Sequence, residues 1–191
     1  LKHWNRVLQL NATVKAIPVD QHGVLDSDFI REHLTSAVMI CTMAANNETG
    51  VKQDLLALEQ LIREINPAVY WMVDCVQALG KMPLNIAATS IDYSPFSGHK
   101  LYAPKGVGFL YVRQGTPYQP FIAGGGQESG LRSGTENLPG ILALQAVFNE
   151  LAKASGSAFH SEATLWQYRQ RLISALKQVF PALVLNSDAP Y

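Results

Sequence analysis

Charge of one sign is what this sequence most clearly lacks. Among its 191 residues, fifteen Lys and Arg are set against fifteen Asp and Glu. A net charge near zero removes the electrostatic footprint of a nucleic-acid binder or a polybasic membrane anchor, so neither partner is expected. Cysteine is equally scarce. Cys41 and Cys75 each stand in or beside an apolar run, with no second Cys or His at metal-ligand spacing. That excludes a disulfide framework and a metal site as organising features, and it fits a reducing, cytoplasmic setting. Long hydrophobic runs are missing too. The longest, residues 37–45, falls well short of a membrane span. No signal peptide is visible, because the opening residues lack a basic segment followed by an apolar stretch. What is present is core-forming material: 48% hydrophobic and 16% charged residues. That suffices for one good-sized domain, or for a domain with a small appendage.

The periodicity then alternates. Trp4, Val7, Leu8 and Leu10 stand near helical spacing, and residues 13–19 alternate like a short strand with Pro18 near its end. Asp26 and Ser27 can cap a helix carrying Phe29, Ile30 and Leu34. Residues 37–43 read as a strand buried in a parallel sheet. Asp54 opens an amphipathic helix through Leu55, Leu58, Leu61, Ile62 and Ile65, stopped by Pro67. Residues 69–73 form the next strand and end at Asp74. Strand, helix, strand in this order predicts an α/β fold with right-handed crossovers and a mainly parallel sheet. Later, Asn137 caps a long apolar helix over residues 138–153. A linker at 154–157 leads to a second helix from about 161 to 179, and residues 182–185 begin a last strand.

The stretch from Ser94 to Gly108 organises the rest. An apolar run through Phe96 breaks at Gly98, presents His99 and Lys100, and resumes at Val107. Strand, tight polar loop, strand is the reading, and a Lys desolvated in such a loop becomes an amine nucleophile. Two further polar clusters, Asn46–Gly50 and Asp74–Gln77, follow buried strands. In open α/β sheets, ligands bind at the carboxyl edge. Singly, these are ordinary turn residues. Jointly they describe a site for a small polar molecule. Gly124, Gly125, Gly126, Gly130 and Gly134 add a loop able to bring backbone amides near an anion, although no Gly-Lys-Ser/Thr completes a P-loop.

With these motifs the chain resembles the cysteine desulfurases, a branch of the class V aminotransferase-like enzymes that use pyridoxal 5′-phosphate. The matching pieces are Asn46-Asn47-Glu48-Thr49-Gly50, Asp74-Cys75-Val76-Gln77, Phe96 to Gly108 with Ser-Gly-His-Lys at its head, and Gly124 to Thr135. They span residues 38–150 almost continuously. The resemblance implies a three-layer α/β/α fold, the large domain of fold type I. It places Lys100 as the catalytic residue that forms the Schiff base with the cofactor aldehyde. Asp74 would face the pyridine nitrogen and keep it protonated, and Gln77 would donate to the phenolic oxygen. Asn47 would sit near that edge or the substrate, with Ser97 and His99 on the phosphate. Thr135 would reach the phosphate of the neighbouring subunit in a homodimer. The implied activity takes sulfur from L-cysteine as an enzyme persulfide, leaves L-alanine, and passes the sulfur to an acceptor protein, as in iron–sulfur cluster assembly.

Departures from the family pattern accompany the match. The family's ring-stacking His and upstream phosphate loop would precede Leu1, and its sulfur-attacking Cys would follow Tyr191. The chain therefore reads as a central fragment, inactive alone. Residues 1–150 would belong to the cofactor-binding large domain without its amino-terminal part, and residues 151–191 would start the small domain. Cys75 takes a position where the family commonly has Ala, and neither Cys75 nor Cys41 carries over as the nucleophile. Other readings stay open. Selenocysteine lyase or another class V enzyme could use this scaffold, and the fragment could instead be a non-catalytic dimerising piece.

Overall fold

The structure, a computed structural model, describes residues 12–153 and 157–186. The helix expected over residues 1–10 and most of the expected linker lie outside the described residues. Helix α1 (Ser27–His33) starts where expected. The Asp26 carboxylate accepts from the amides of Asp28 and Phe29, occupying donors that a first turn otherwise leaves open. Strand β1 is Met39–Met43. Helix α2 (Leu55–Ile65) is capped in the same way by Asp54, and it buries Leu58, Leu61 and Ile62 on one stripe. It closes at Asn66, since the residue before Pro67 is pushed away from helical angles. The Asn66 amide then donates to the carbonyls of Leu34 and Ala37, both at 3.1 Å, and clamps the end of α2 to the start of β1.

Strands β2 (Tyr70–Asp74), β3 (Tyr93–Ser97) and β4 (Gly108–Val112) complete a four-stranded sheet in the order β1-β2-β3-β4. The β1–β2 and β2–β3 pairs are parallel, and β3–β4 is antiparallel. The mainly parallel α/β architecture thus stands, with one reversal at the turn that carries Lys100. Pairing is uneven. β1 matches β2 from Met39↔Tyr70 to Met43↔Asp74, and β3 matches β4 from Tyr93↔Val112 to Ser97↔Gly108. Between β2 and β3 the register is the single pair Met72↔Tyr93.

Side chains reinforce that seam. Asp92 accepts the Trp71 amide at 2.8 Å and returns its own amide to the Trp71 carbonyl at 2.8 Å. Buried Ser94 donates to the Val73 carbonyl at 2.8 Å. Arg63, on α2, reaches Ser90 and the Val69 carbonyl and lies 3.5 Å from Asp92. The core between helices and sheet holds Ile30, Leu34, Ile40, Ile62, Trp71, Val73 and Phe96. Full burial of each large aliphatic or aromatic side chain contributes about 1.5–3 kcal/mol. Trp71 is wholly buried and keeps its polar edge satisfied, with Nε1 donating to Thr42 Oγ1 at 3.1 Å.

Helix α3 (Leu138–Leu151) is capped by Asn137 and packs on the β3–β4 hairpin, with Phe148 edge-on to Phe109. Helix α4 (Glu162–Val179) follows Ser161, whose hydroxyl accepts from Thr164. Its stripe of Leu165, Tyr168, Leu172, Leu176 and Val179 contains no buried residue. Two expected strands do not form. Over residues 13–19 only Val19 pairs, in an isolated bridge to Leu25, because Pro18 has no amide to give a ladder. Residues 182–185 are not extended into a sheet, and Val184 is 80% exposed with no strand beside it among the described residues.

Candidate functional site

Parallel β1, β2 and β3 deliver three polar turns to one edge of the sheet. After β1, Asn46 shapes the first turn. Its Oδ1 accepts from the amides of Glu48 and Thr49, each at 2.9 Å, and its own amide donates to Val51 O at 2.8 Å. That leaves Asn47 exposed, with its Nδ2 donating to Glu48 Oε1 at 2.8 Å. Asn46 is a turn former, and Asn47 is the one presented.

After β2 the chain coils tightly, with the amides of Ala78 and Leu79 both donating to the Cys75 carbonyl. Asp74 Oδ1 accepts from Val76 N at 2.9 Å, and the described residues give Oδ2 no donor. Cys75 is wholly buried. Burial pushes its thiol pKa up, Ser94 opposes this by hydrogen bonding, and the Asp74 carboxylate adds to the rise. Gln77 and Lys81, one coil apart, come together: Lys81 Nζ lies 3.4 Å from Gln77 Oε1 and 3.5 Å from the Lys100 carbonyl.

After β3, residues Gly98–Leu101 form a single 3-10 turn. Gly98 is required there, because a Cβ would stand 2.9 Å from the Val107 carbonyl and 3.0 Å from the Val107 side chain. The Gly98 amide donates to that carbonyl at 2.9 Å and draws the two arms of the hairpin together. Ser97 Oγ and His99 Nδ1 share a hydrogen bond of 2.8 Å. Lys100 is exposed at the rim. The expectation of a desolvated Lys100 is therefore corrected: the turn is too shallow to cover it, and Lys81 is the partly buried amine. Burial first, and the Lys100 charge second, hold the Lys81 pKa below its ordinary value.

Asp74, Gln77, Ser97, His99 and Lys100 thus share the ends of neighbouring strands, with Asn47 on the next turn. Thr135 is exposed at the end of the glycine-rich loop, and no hydrogen bond joins it to the others among the described residues. That loop spends polar groups on itself. The Ser133 amide donates to Ile122 O at 2.9 Å, its hydroxyl to Gly125 O at 2.8 Å, and the Gly134 amide to Gln127 Oε1 at 3.1 Å. Lys81 is the residue that motif reading passed over; its four-residue spacing from Gln77 was the available signal. A cleft near Arg63 and Arg113 lies elsewhere, and its guanidiniums are committed to the Val69, Ser90 and Ile91 carbonyls.

Chemically, the edge combines a carboxylate with a spare oxygen, two amines, a carboxamide and a hydroxyl–imidazole pair. Such a set can hold a protonated ring nitrogen, an aldehyde and a phosphate. The family model for aminotransferase class-V matches residues 1–188. A cysteine desulfurase from Nostoc sp. is 40% identical over 178 residues, covering 92% of this chain and 43% of that protein. One from Gluconacetobacter diazotrophicus is 46% identical over 141 residues, covering 73% of this chain and 34% of the relative. Among solved structures, a NifS-like protein superposes with TM-score 0.81 at 34% identity, over 94% of this chain and 48% of that one. A structure described as SspA in complex with cysteine gives TM-score 0.76 at 28% identity, covering 92% of this chain and 48% of its own. The chain spans less than half the length of these curated relatives.

Proposed function

The chain belongs to the class V aminotransferase family, and on that premise we propose that the intact protein is a pyridoxal-phosphate cysteine desulfurase, taking sulfur from L-cysteine and leaving L-alanine. The observation that carries the reading is the placement of Asp74 and the Ser97–Lys100 turn at the same ends of neighbouring parallel strands. When bound, pyridoxal phosphate supplies an electron sink for chemistry at an amino acid's α-carbon.

The chain's own residues fit that group. Asp74 offers an oxygen that no donor among the described residues takes, suited to holding a proton on the ring nitrogen. Gln77 offers its carboxamide to the phenolic oxygen. Ser97 and His99, already paired at 2.8 Å, present short donors to a phosphate. Lys100 would hold the aldehyde end, and its exposed position leaves its amine free to move a proton at the substrate's α-carbon. Asn47 would orient substrate or ring edge, and Thr135 would serve the phosphate of a second copy in a homodimer. Residues 1–150 form part of the cofactor-binding domain in this reading, and residues 151–191 open the smaller one. The sulfur then leaves on an acceptor protein, in a cytoplasmic enzyme.

Borohydride reduction of the cofactor-loaded intact protein, followed by peptide mapping, tests the assignment. The pyridoxyl adduct is expected on Lys100, with alanine and sulfide released from cysteine in equal amount. An adduct on Lys81 or Lys105, or turnover confined to selenocysteine, would sink it.

A further inference from the structure

The two lysines near the strand ends have opposite surroundings. Lys100 stands in solvent, whereas Lys81 is partly buried behind it. A buried ammonium ordinarily demands a carboxylate. The described residues give Lys81 none: its acceptors are the Gln77 carboxamide at 3.4 Å and the Lys100 carbonyl at 3.5 Å. The position therefore holds a cation against two neutral dipoles, beside another cation. Such an arrangement costs free energy in the free protein, because burial disfavours the charged form.

The geometry says what the charge is placed to do. Gln77 Oε1 accepts from the Lys81 ammonium at 3.4 Å, which leaves the NH2 of the carboxamide as the group able to donate elsewhere. An ammonium on the oxygen also draws electrons from the amide and strengthens that NH2 as a donor. The second contact, exposed and at 3.5 Å, reaches the backbone carbonyl of Lys100. One side chain thus touches both the second and the third of the three site turns. Its backbone is anchored independently, since the Lys81 amide donates to Ala78 O at 3.0 Å.

We infer that Lys81 is a positioning residue of the cofactor site: it orients and polarises the Gln77 carboxamide toward an electron-rich ring oxygen. This rests on the reading given under Proposed function and adds to it a residue that never touches the ring. A cation behind the donor becomes favourable only when an anionic oxygen arrives in front of it, so Lys81 acts on binding rather than on folding.

The test is a double-variant cycle in the intact protein, read as pyridoxal-phosphate affinity by absorbance titration. Lys81→Met is expected to weaken binding about tenfold, the scale of one hydrogen bond to a charged group. Lys81→Arg keeps charge and donors and should restore most of it. Gln77→Ala should weaken binding as well, and Lys81→Met on top of Gln77→Ala should cost nothing further, since Lys81 acts through Gln77. Thermal melting of the cofactor-free Lys81→Met protein supplies the control. A melting temperature at or above wild type is expected, because a partly buried charge with no counter-ion among the described residues has been removed. Unchanged affinity in Lys81→Met, losses that multiply in the double variant, or a fall in melting temperature that tracks the fall in affinity would each overturn the inference. Wild-type protein that takes up no cofactor, or carries it away from Lys100, would overturn the functional reading itself and this inference with it.

Discussion

Cys75 follows Asp74 at the candidate site, yet its surroundings on balance do not make it a nucleophile. Its thiol is wholly buried, and burial raises its pKa, as burial also raises that of Cys41 in β1. A raised pKa means a smaller thiolate fraction at any given pH, and the thiolate is the reactive form. Both thiols of the folded protein should therefore react with iodoacetamide severalfold more slowly at pH 8 than in urea. Their rates should climb only as pH passes above the ordinary thiol range. Fast alkylation of either at neutral pH would contradict this. Single residues were legible in the sequence only where a motif flags them. Lys100 has Gly98 and His99 to mark it, and Asp74 ends an apolar run. Lys81 has no such marker. Its importance lies in partners four and nineteen positions away, and in a burial that only the coiled backbone after Asp74 creates.

Elements tell a similar story with a different failure. The caps Asp26, Asp54, Asn137 and Ser161 stood where polar residues precede apolar periodicity, and each helix begins there. Helix starts are local chemistry, so a sequence displays them. Strands need partners, which it does not display. Residues 13–19 alternate convincingly but pair only through Val19. The hairpin of β3 and β4 shows how strict such partnering is. Gly108 faces Ser97 in the register, and a Cβ on it would lie 2.4 Å from the Phe96 carbonyl. Gly108→Ala must either break that pairing or shift the Phe96–Phe109 stack, whose centroids are 4.4 Å apart. A loss of about 2–3 kcal/mol is expected, within the range for overpacking, read by urea unfolding. A wild-type midpoint in the variant would show that the hairpin yields at no cost.

Across the whole molecule, the alternation of strand and helix foretold the α/β class and the sheet edge at which the polar turns gather. It did not foretell how unequally the strands would be joined, because pairing strength depends on relative register, and register is set by distant contacts. The sheet is two well-laddered ribbons, β1 with β2 and β3 with β4, meeting at Met72↔Tyr93. Asp74 belongs to one ribbon and Lys100 follows the other. Seen mechanically, the molecule is a book whose spine is the seam and whose clasp is the site. Any ligand gripping Asp74 and Lys100 together holds the covers shut, and by mass action it lends the spine a stability that neither cover needs. Native-state hydrogen exchange of the intact protein can read this leaf by leaf. Adding pyridoxal phosphate should slow the Trp71 and Asp92 amides across the seam more than those within β3–β4, whereas equal slowing everywhere would mean that the covers never part.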